Sequence, residues 1–420
     1  MAGVPPTSIS EHFATLTDPR VERGKEHLLV DILTITLCAV ICGADDWVAV
    51  ATFGELKEPW LRTFLALPNG IPSHDTFGRV FRLLEPDELR RCFLTWVQAV
   101  VAAPREAGEP GSLGQQVVAV DGKTLRRSHN RRAGKGALHL VSAWATESGL
   151  VVGQVATDAK SNEITAIPAL LKLLALEGAT VTIDAMGCQT AIASQIVEQG
   201  ADYVLALKDN HPTLHEYVRL AFVDADAATG TTLPLADLRT NTTVEKGHGR
   251  IERRRCQAIG DPEYLAFIDP QGAWPNLRSV VRIESTRRIG EAVSTEARHY
   301  LSSLPADAAV LQRVIRSHWG VENRLHWVLD LAFHEDSSRV NTDHAPENLA
   351  ITRHIALNLL RGDPNRRIGL KNSRFRAALD DAYLRSILSG VHALLGAPDQ
   401  LNRAGIRLGK KHTGHLNESV

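Results

Sequence analysis

The chain has 420 residues, 44% of which are hydrophobic, and a formal net charge of −1. This length and composition predict a folded protein of two or three domains and exclude global disorder. Because the chain has no overall basic charge, any interaction with nucleic acid must depend on local patches.

The cysteines and the apolar segments bear on the cellular compartment. Five cysteines without CxxC spacing argue against a disulfide framework or a zinc knuckle and fit a reducing cytoplasm. The N-terminus lacks the basic and apolar regions of a secretory signal. The apolar stretch 28–44 contains Asp31 and is short for a bilayer span, so it predicts a buried core helix. We therefore expect a soluble, cytoplasmic protein without a membrane partner.

Residues 9–103 predict a small all-α domain at the front of the chain. An apolar helix over 28–42 is followed by shorter apolar segments, and Ser73 is well placed to cap a further helix. Another amphipathic helix is expected at about 86–101. Such a domain either binds DNA or only packs, and the spacing alone does not separate these alternatives. Residues 104–115 are rich in Pro, Gly and Glu and predict a linker.

The region 116–362 predicts a mixed α/β domain. Three strand-like runs form an antiparallel meander, and helices then alternate with two more strands in the order βββαβαβα. Asp121 stands where the first strand gives way to a turn, and Asp184 ends the fourth strand. This order, with a carboxylate on each of these strands, is the layout of the ribonuclease H-like fold, a mixed sheet flanked by helices. A β-rich insertion is expected at about 226–304, and a basic tail over 363–420.

The stretch 312–336 predicts a long helix with a third carboxylate. At helical spacing, His318, Glu322 and His326 fall on one flank beside an apolar stripe. We therefore expect Glu322 to lie among core residues, where a metal ion, a cation or a proton must compensate its charge. Zinc is one interpretation of the two histidines, although HExxH is absent and no Cys or His cluster completes four ligands.

The three carboxylates Asp121, Asp184 and Glu322 are candidates for one metal centre at an edge of the sheet. Hard oxygen ligands suit Mg²⁺ or Mn²⁺, and two such ions stabilise the attacking and leaving oxygens of a phosphodiester displacement. Taken singly, each aspartate is also explained as a turn residue or a helix cap. Glu335 is the next candidate if Glu322 is not the third ligand.

Two basic patches are candidates for holding a polyanion beside such a centre. The first runs from 123 to 135 without an acidic residue, and the second is KGHGRIERRR at 246–255. A charge run of this kind is often only a solvated surface. If a polyanion binds there, salt should weaken the contact strongly.

Several motifs resemble those of insertion-sequence transposases. They are VVAVDGKTLRRS (117–128), KSNEI (160–164), VTIDAMGCQ (181–189), YVLALKDNHPTL (203–214), HYLSSL (299–304) and IRSHWGVENRLHWVLDLAFHED (315–336). Together with the helical front of the chain, they resemble the H-repeat-associated family of DDE transposases over nearly the whole length. The resemblance implies a ribonuclease H-like catalytic domain whose triad, Asp121, Asp184 and Glu322, binds two ions of Mg²⁺ or Mn²⁺.

The resemblance also implies a reaction and its partners. A DDE transposase hydrolyses DNA at the element's ends and joins the freed 3′-OH to target DNA by direct transesterification. Its partners would be terminal inverted repeats, target DNA and a second copy of the chain, in a bacterial cytoplasm and at the nucleoid. Two alternatives are a metal-dependent nuclease or resolvase of the same fold and a non-catalytic DNA-binding protein derived from a transposase.

The candidate DNA-binding residues come from the basic patches and from the region around Glu322. Lys123 and Lys208 are predicted phosphate contacts. His318 and Asn323 either orient Glu322 or contact DNA. The full set is Lys123, Arg126, Arg127, Lys208, His248, Arg250, His318 and Asn323.

Overall fold

The architecture was determined from a computed structural model. It describes residues 9–102, 116–130, 134–157, 163–228, 238–247, 249–363 and 368–389. The predicted linker 104–115, His248 and the residues after 389 lie outside the described residues. The described residues form helices around one large mixed sheet, which confirms the predicted α/β class.

The N-terminal region is helical, as predicted. Its helices are α1 (Ile9–Phe13), α2 (Leu29–Cys42), α3 (Trp47–Leu61), α4 (His74–Leu83) and α5 (Pro86–Ala102). Ser73 caps α4, because its side chain accepts the backbone N–H of Thr76.

Helix α2 has apolar residues around most of its circumference, which suits its burial: Ile32, Ile35 and Leu37 are fully inaccessible to solvent. The one carboxylate in this helix, Asp31, accepts the backbone N–H of Leu67, which stabilises its burial. Among the described residues, no single helix has the length and apolar character needed to cross a bilayer. The stretches 22–42 and 47–61 reach that length and composition only as a pair bent by 99°.

Nine strands of the described residues form one mixed sheet in the order β3-β2-β1-β4-β5-β9-β8-β7-β6. They are β1 (Val117–Thr124), β2 (His139–Ala145), β3 (Leu150–Ala156), β4 (Thr180–Ile183), β5 (Asp202–Leu207), β6 (Leu238–Gly247), β7 (Arg250–Ile259), β8 (Ser279–Ile289) and β9 (Ala292–Ser302). Strands β1 to β3 are an antiparallel meander, β4 runs parallel to β1, and β5 runs parallel to β4. Strand β9 pairs antiparallel with β5, so the β-rich insertion continues the main sheet.

The first strand does not end at Asp121 as the sequence predicted. It continues through the Asp-Gly-Lys-Thr segment, which pairs with β2 from Asp121 opposite Ser142 to Thr124 opposite His139. Asp-Gly favours turns in isolation, but here the hydrogen bonds to a neighbouring strand override that local preference. Asp121 therefore lies in the middle of a rigid strand.

The remaining helices flank this sheet or follow it. They are α6 (Glu163–Lys172), α7 (Thr190–Glu198), α8 (Pro212–Ala228), α9 (Pro262–Ile268), α10 (Ala308–Gly320), α11 (Trp327–Phe333), α12 (Ala345–Arg361), α13 (Leu370–Leu379) and α14 (Asp381–Ser389). The last two correct the expected basic tail over 363–420, since the described residues 368–389 are mainly helical and packed. Arg374 on α13 is buried, donates to the carbonyl of Val40 and lies over the ring of Phe333. This basic residue therefore ties the C-terminal helices to the N-terminal region.

The long helix expected over 312–336 is interrupted. Helix α10 ends at Gly320, a π-helical segment spans Val321–His326, and α11 ends at Phe333 before His334 adopts a φ of 49°. A π-helix forms i→i+5 hydrogen bonds and therefore rotates the following side chains away from α-helical positions. Such segments occur frequently at functional sites. This one carries Glu322 and His326.

Candidate metal centre

Asp121, Asp184 and Glu322 line one cavity of about 390 Å³. Asp121 comes from the middle of β1, Asp184 from the turn directly after β4, and Glu322 from the π-helical segment. Because β1 and β4 are parallel neighbours, their aspartates reach the same side of the sheet, and α10 brings Glu322 across it. The structure thus brings together the three carboxylates that the sequence singled out.

The closest grouping in this cavity region contains a histidine. Asp121, Glu322 and His326 each offer a ligand atom, and these atoms all lie within 4.8 Å of one another. His326 Nδ1 is 3.5 Å from Asp121 Oδ2 and 3.8 Å from Glu322 Oε2. We call these three residues the acidic centre. The sequence placed His326 on the correct flank, where zinc binding was one interpretation of the two histidines.

Asp184 lies on the same cavity but outside this closest group. Its Oδ1 accepts the backbone N–H groups of Met186 and Gly187, which is the turn role that the sequence also allowed. These bonds fix the carboxylate at the end of β4 while leaving its second oxygen for another partner. The turn role and a metal-binding role are therefore compatible.

The burial of the carboxylates differs from the expectation. The Glu322 side chain is 56% exposed, whereas that of Asp121 is only 14% exposed. The expected burial of Glu322 is wrong, because the π-helical segment buries Val321 and Leu325 and leaves Glu322 at the rim of the cavity. The carboxylate set among core residues is Asp121.

The electrostatics follow from this arrangement. Burial raises the pKa of Asp121 to about 7; the His326 imidazole opposes this shift, and the charges of Glu322 and Asp184 add to it. The same imidazole lowers the pKa of Glu322. The pKa values of the two neighbouring carboxylates therefore shift in opposite directions, and burial favours the protonated form of Asp121. A divalent cation would compensate the same charge.

His318 and Asn323 have other contacts. His318 lines the cavity, and its Nδ1 lies 3.0 Å from the hydroxyl of Thr182. Asn323 is exposed and donates to the carbonyl of Trp319, so it does not orient Glu322. Among the described residues, the two histidines do not join in one zinc-type group, since only His326 belongs to the acidic centre.

Lys123 does not lie where a phosphate contact was predicted. Its ammonium group donates to Asp330 and, at 3.1 Å, to Glu335 Oε2, and its side chain is only 12% exposed. Glu335 is buried and also faces Arg353 at 3.9 Å. We call Lys123, Asp330, Glu335 and Arg353 the buried ion cluster. Glu335, the alternative third ligand, is therefore already neutralised by two cations.

The other basic candidates are divided between the cavity and more distant surfaces. Lys208 is exposed at the end of β5 and lines the cavity. Arg126 and Arg127 are exposed after β1, and Arg126 pairs with Asp336 at 3.1 Å. Arg250 begins β7, away from the cavity lining, and lies 3.4 Å from Glu252.

One basic residue on the cavity was missed. Arg298 on β9 lines the cavity, and its guanidinium lies 4.7 Å from the ring centre of the half-exposed Trp319. This residue directly precedes the HYLSSL motif, which is the sequence signal that would have found it. Glu296 also lines the cavity and pairs with Arg298 at 2.7 Å. The cavity lining therefore combines the acidic residues with Lys208, Arg298 and the ring of Trp319.

A polar group formed by Thr124, His139 and Glu163 lies next to Gly122, the residue that follows Asp121. His139 Nε2 is 2.7 Å from Glu163 Oε1, and His139 Nδ1 is 2.8 Å from the Thr124 hydroxyl. A Cβ at Gly122 would lie 2.1 Å from Glu163 Oε1 and 2.6 Å from His139 Nε2, so a larger residue there would have to displace this pair. The glutamate of the KSNEI motif thus supports the strand that carries Asp121.

Comparisons with known proteins give the family. The Transposase DDE domain model matches residues 112–359, and the DDE_Tnp_1-associated model matches residues 10–97. The chain belongs to the DDE transposase family. Asp121, Asp184 and Glu322 all lie inside the region that the Transposase DDE domain model matches.

Relatives support the same assignment. "H repeat-associated putative transposase YhhI" of Escherichia coli K12 is 38% identical over 391 residues, which cover 91% of this chain and 98% of the relative. An uncharacterized protein from the dhlA 3′ region of Xanthobacter autotrophicus is 48% identical over 70% of this chain and 94% of its own length. "Inactive transposase YbfQ" of E. coli K12 is 42% identical over only 17% of this chain. The resemblance to the H-repeat-associated group is thereby confirmed.

Proposed function

We propose that this chain is a catalytically competent DDE transposase that cuts DNA at element ends and joins the 3′-OH to target DNA. The observation that carries the proposal is the convergence of Asp121, Asp184 and Glu322 on one cavity. The strand order β3-β2-β1-β4-β5, antiparallel and then parallel, supports a ribonuclease H-like catalytic core.

The residues fit divalent cations. Asp121 and Glu322 would hold one ion of Mg²⁺ or Mn²⁺, and Asp184 with Asp121 would hold a second. When bound, such ions stabilise the attacking and leaving oxygens of an in-line displacement at phosphorus. Asp121 must release its proton to act as a ligand, and its raised pKa places this step near neutral pH. The parallel β1–β4 pairing ends with Val120 opposite Ile183, so it places the two aspartates that follow next to each other.

The other residues of the cavity would hold the DNA. Lys208 would offer a cationic contact to a phosphate group. Arg298, which is paired with Glu296 at 2.7 Å, would offer a second contact only by exchanging that partner for a phosphate. Trp319 presents an exposed ring on which a base can stack. We propose Arg126 and Arg127 as further backbone contacts and Arg250, which is away from the cavity lining, as a contact to a more distant segment of the duplex. His248 lies outside the described residues and stays a prediction.

Assembly belongs to the same proposal. Joining two element ends requires that both ends be held together, so we propose that two copies of the chain act on paired DNA ends. The terminal inverted repeats and the target DNA are then the partners, and the protein works at the bacterial nucleoid. Size-exclusion chromatography with light scattering, with and without repeat DNA, measures this step.

The catalytic proposal is tested with purified protein, Mg²⁺ or Mn²⁺, and labelled terminal inverted repeats. Asp121→Asn, Asp184→Asn and Glu322→Gln are each expected to lower cleavage and joining by at least about 100-fold. Glu263→Gln, which changes an exposed carboxylate on α9, is the matched control and keeps full activity. Triad variants that cut and join like the parent would refute the assignment.

The products of the parent protein separate the alternatives. Strand-transfer products support a transposase. Cleavage without joining would instead favour a metal-dependent nuclease or resolvase of the same fold. Binding to the repeats without metal-dependent cleavage would favour a DNA-binding protein derived from a transposase.

A further inference from the structure

We infer that His326 is a protein ligand of the ion held by Asp121 and Glu322. The centre then offers one imidazole nitrogen and two carboxylate oxygens, and it prefers a first-row transition ion such as Mn²⁺ over Mg²⁺. This inference rests on the metal-dependent function proposed above and adds a residue that the three-carboxylate assignment does not include.

The position of His326 is the first observation. It lies four residues after Glu322 in the π-helical segment, and only 6% of the residue is exposed. The buried ring is directed at the two carboxylates of the acidic centre, which come from different elements. A buried polar ring in such a place requires a polar partner.

The distances are the second observation. Atoms bound about 2.1 Å from one ion lie about 3.0 Å apart at right angles and about 4.2 Å apart on opposite sides. The separations of 3.5 Å and 3.8 Å from Nδ1 to the two carboxylate oxygens fall between these values. Both exceed the usual N–H···O hydrogen-bond range of about 2.7–3.2 Å. The third separation, from Asp121 to Glu322, is within 4.8 Å, so the spacing is compatible with three ligands around one ion.

The remaining contacts of the two neighbouring histidines are the third observation. The Nε2 atom of His326 is buried and has no hydrogen-bond partner among the described residues, so no such bond gives the ring another structural role. His318, at the mirror-image spacing from Glu322, already uses its Nδ1 in a contact with the Thr182 hydroxyl. The geometry therefore selects His326, and not His318, as the ligand.

The chemistry sets the preference among ions. Mg²⁺ binds oxygen ligands and keeps most of its water shell, so an imidazole adds little to its affinity. Imidazole nitrogen binds first-row transition ions well, and these ions also accept carboxylate oxygen. A centre with His326 should therefore bind Mn²⁺ distinctly more tightly than Mg²⁺.

The test uses Mn²⁺ bound to the full-length protein and electron spin echo envelope modulation, which detects nitrogen coordinated to the ion. The parent is expected to show modulation from one imidazole nitrogen. His326→Gln is expected to lose it and to bind Mn²⁺ at least about 10-fold more weakly by calorimetry, with a smaller change for Mg²⁺. His318→Gln is the matched control and retains the nitrogen signal.

Each outcome has a defined meaning. A nitrogen signal that persists in His326→Gln, or its absence from the parent, would overturn the inference. If His326→Gln does not fold, the parent labelled with ¹⁵N-histidine reports whether any histidine is bound, and His318→Gln then shows which one. A parent that binds Mn²⁺ without a nitrogen ligand and still needs Asp121 for cleavage would refute only His326, whereas failure to bind either ion would refute the proposed function as well.

Discussion

Two groups of charged residues begin at neighbouring positions of β1, and they differ in whether their carboxylates have a cationic side chain as partner. The acidic centre begins at Asp121 and the buried ion cluster at Lys123, two positions further along the same face of the strand. Among the described residues, neither Asp121 nor Glu322 forms an ion pair with a lysine or arginine. In the neighbouring cluster, Lys123 and Arg353 compensate Asp330 and Glu335.

The pKa values show what this difference means. Burial raises the pKa of Asp121 to about 7, the charges of Glu322 and Asp184 add to this rise, and no lysine or arginine among the described residues pairs with Asp121 to oppose it. Burial would also raise the pKa of Glu335, but Lys123 and Arg353 beside it lower it instead. Burial alone therefore does not identify a functional carboxylate. The absence of a lysine or arginine partner is the better criterion for a candidate, since a carboxylate without such a partner gains more from an added cation.

The largest effect on stability is expected when one glutamate from each group is replaced separately by glutamine. Glu335→Gln leaves Lys123 and Arg353 without their shared partner and should lower the free energy of unfolding by about 3–5 kcal/mol. Glu322→Gln changes a half-exposed side chain, so stability should change by less than about 1 kcal/mol while cleavage is lost. Urea unfolding in EDTA measures the free energy of unfolding, and the cleavage assay measures the loss of activity. If Glu335→Gln lost cleavage activity without losing stability, Glu335 would belong to the reactive site and the distinction between the acidic centre and the buried ion cluster would be wrong.

Lys123→Met tests whether this lysine serves the fold or the DNA. It should cost about 3 kcal/mol of stability, because Asp330 and Glu335 lose their cation. The dependence of DNA affinity on salt should not change, since the ammonium group is inside the protein. A shallower salt dependence with normal stability would restore the predicted phosphate contact.

The pH dependence of stability in EDTA tests the acidic centre itself. The folded chain holds the Asp121 proton up to about pH 7, whereas the unfolded chain releases it near its ordinary pKa of 3.8. The folded state therefore binds more protons between these values, and its stability falls as pH rises through this window. Asp121→Asn should remove this fall and be more stable than the parent above pH 7, by on the order of 1–3 kcal/mol. Parallel stability curves would contradict the raised pKa.

The smallest effect should come from Lys208. Lys208→Ala removes an exposed cation at the cavity, so stability should stay within about 0.5 kcal/mol of the parent. The slope of log DNA affinity against log salt should decrease by about one. Lys172→Ala, which removes an exposed lysine at the end of α6, is the control and should leave the slope unchanged. Equal slopes for all three proteins would remove Lys208 from the interface.

Much of the fold was predictable because its signals are local. Turn and capping chemistry predicts that Asp184 ends a strand and that Ser73 caps a helix. The alternation of helices and strands along the chain predicts the parallel β4–β5 pair. Strand β6 was missed because its sequence, LRTNTTVEKG, is mostly polar and its pairing with β7 alone identifies it.

The features that sequence reasoning misjudged depend on distant partners. Lys123 lies 207 residues from Asp330 and 212 from Glu335, so no local pattern shows that its charge is already paired. The extension of β1 through Asp121 depends in the same way on β2. The exposure of Glu322 depends on a change of helical type, which leaves the residue spacing of the sequence unaltered.

The pairing of β5 with β9 makes the β8–β9 hairpin a continuation of the strands around the cavity. His299 lines the cavity, and Ala292 begins β9 at the tip of the hairpin. Seven residues of extended strand, at about 3.4 Å each, separate the tip from the cavity by about 24 Å. If the cavity holds DNA as proposed, a duplex lying along this hairpin would pass its tip about seven base pairs away.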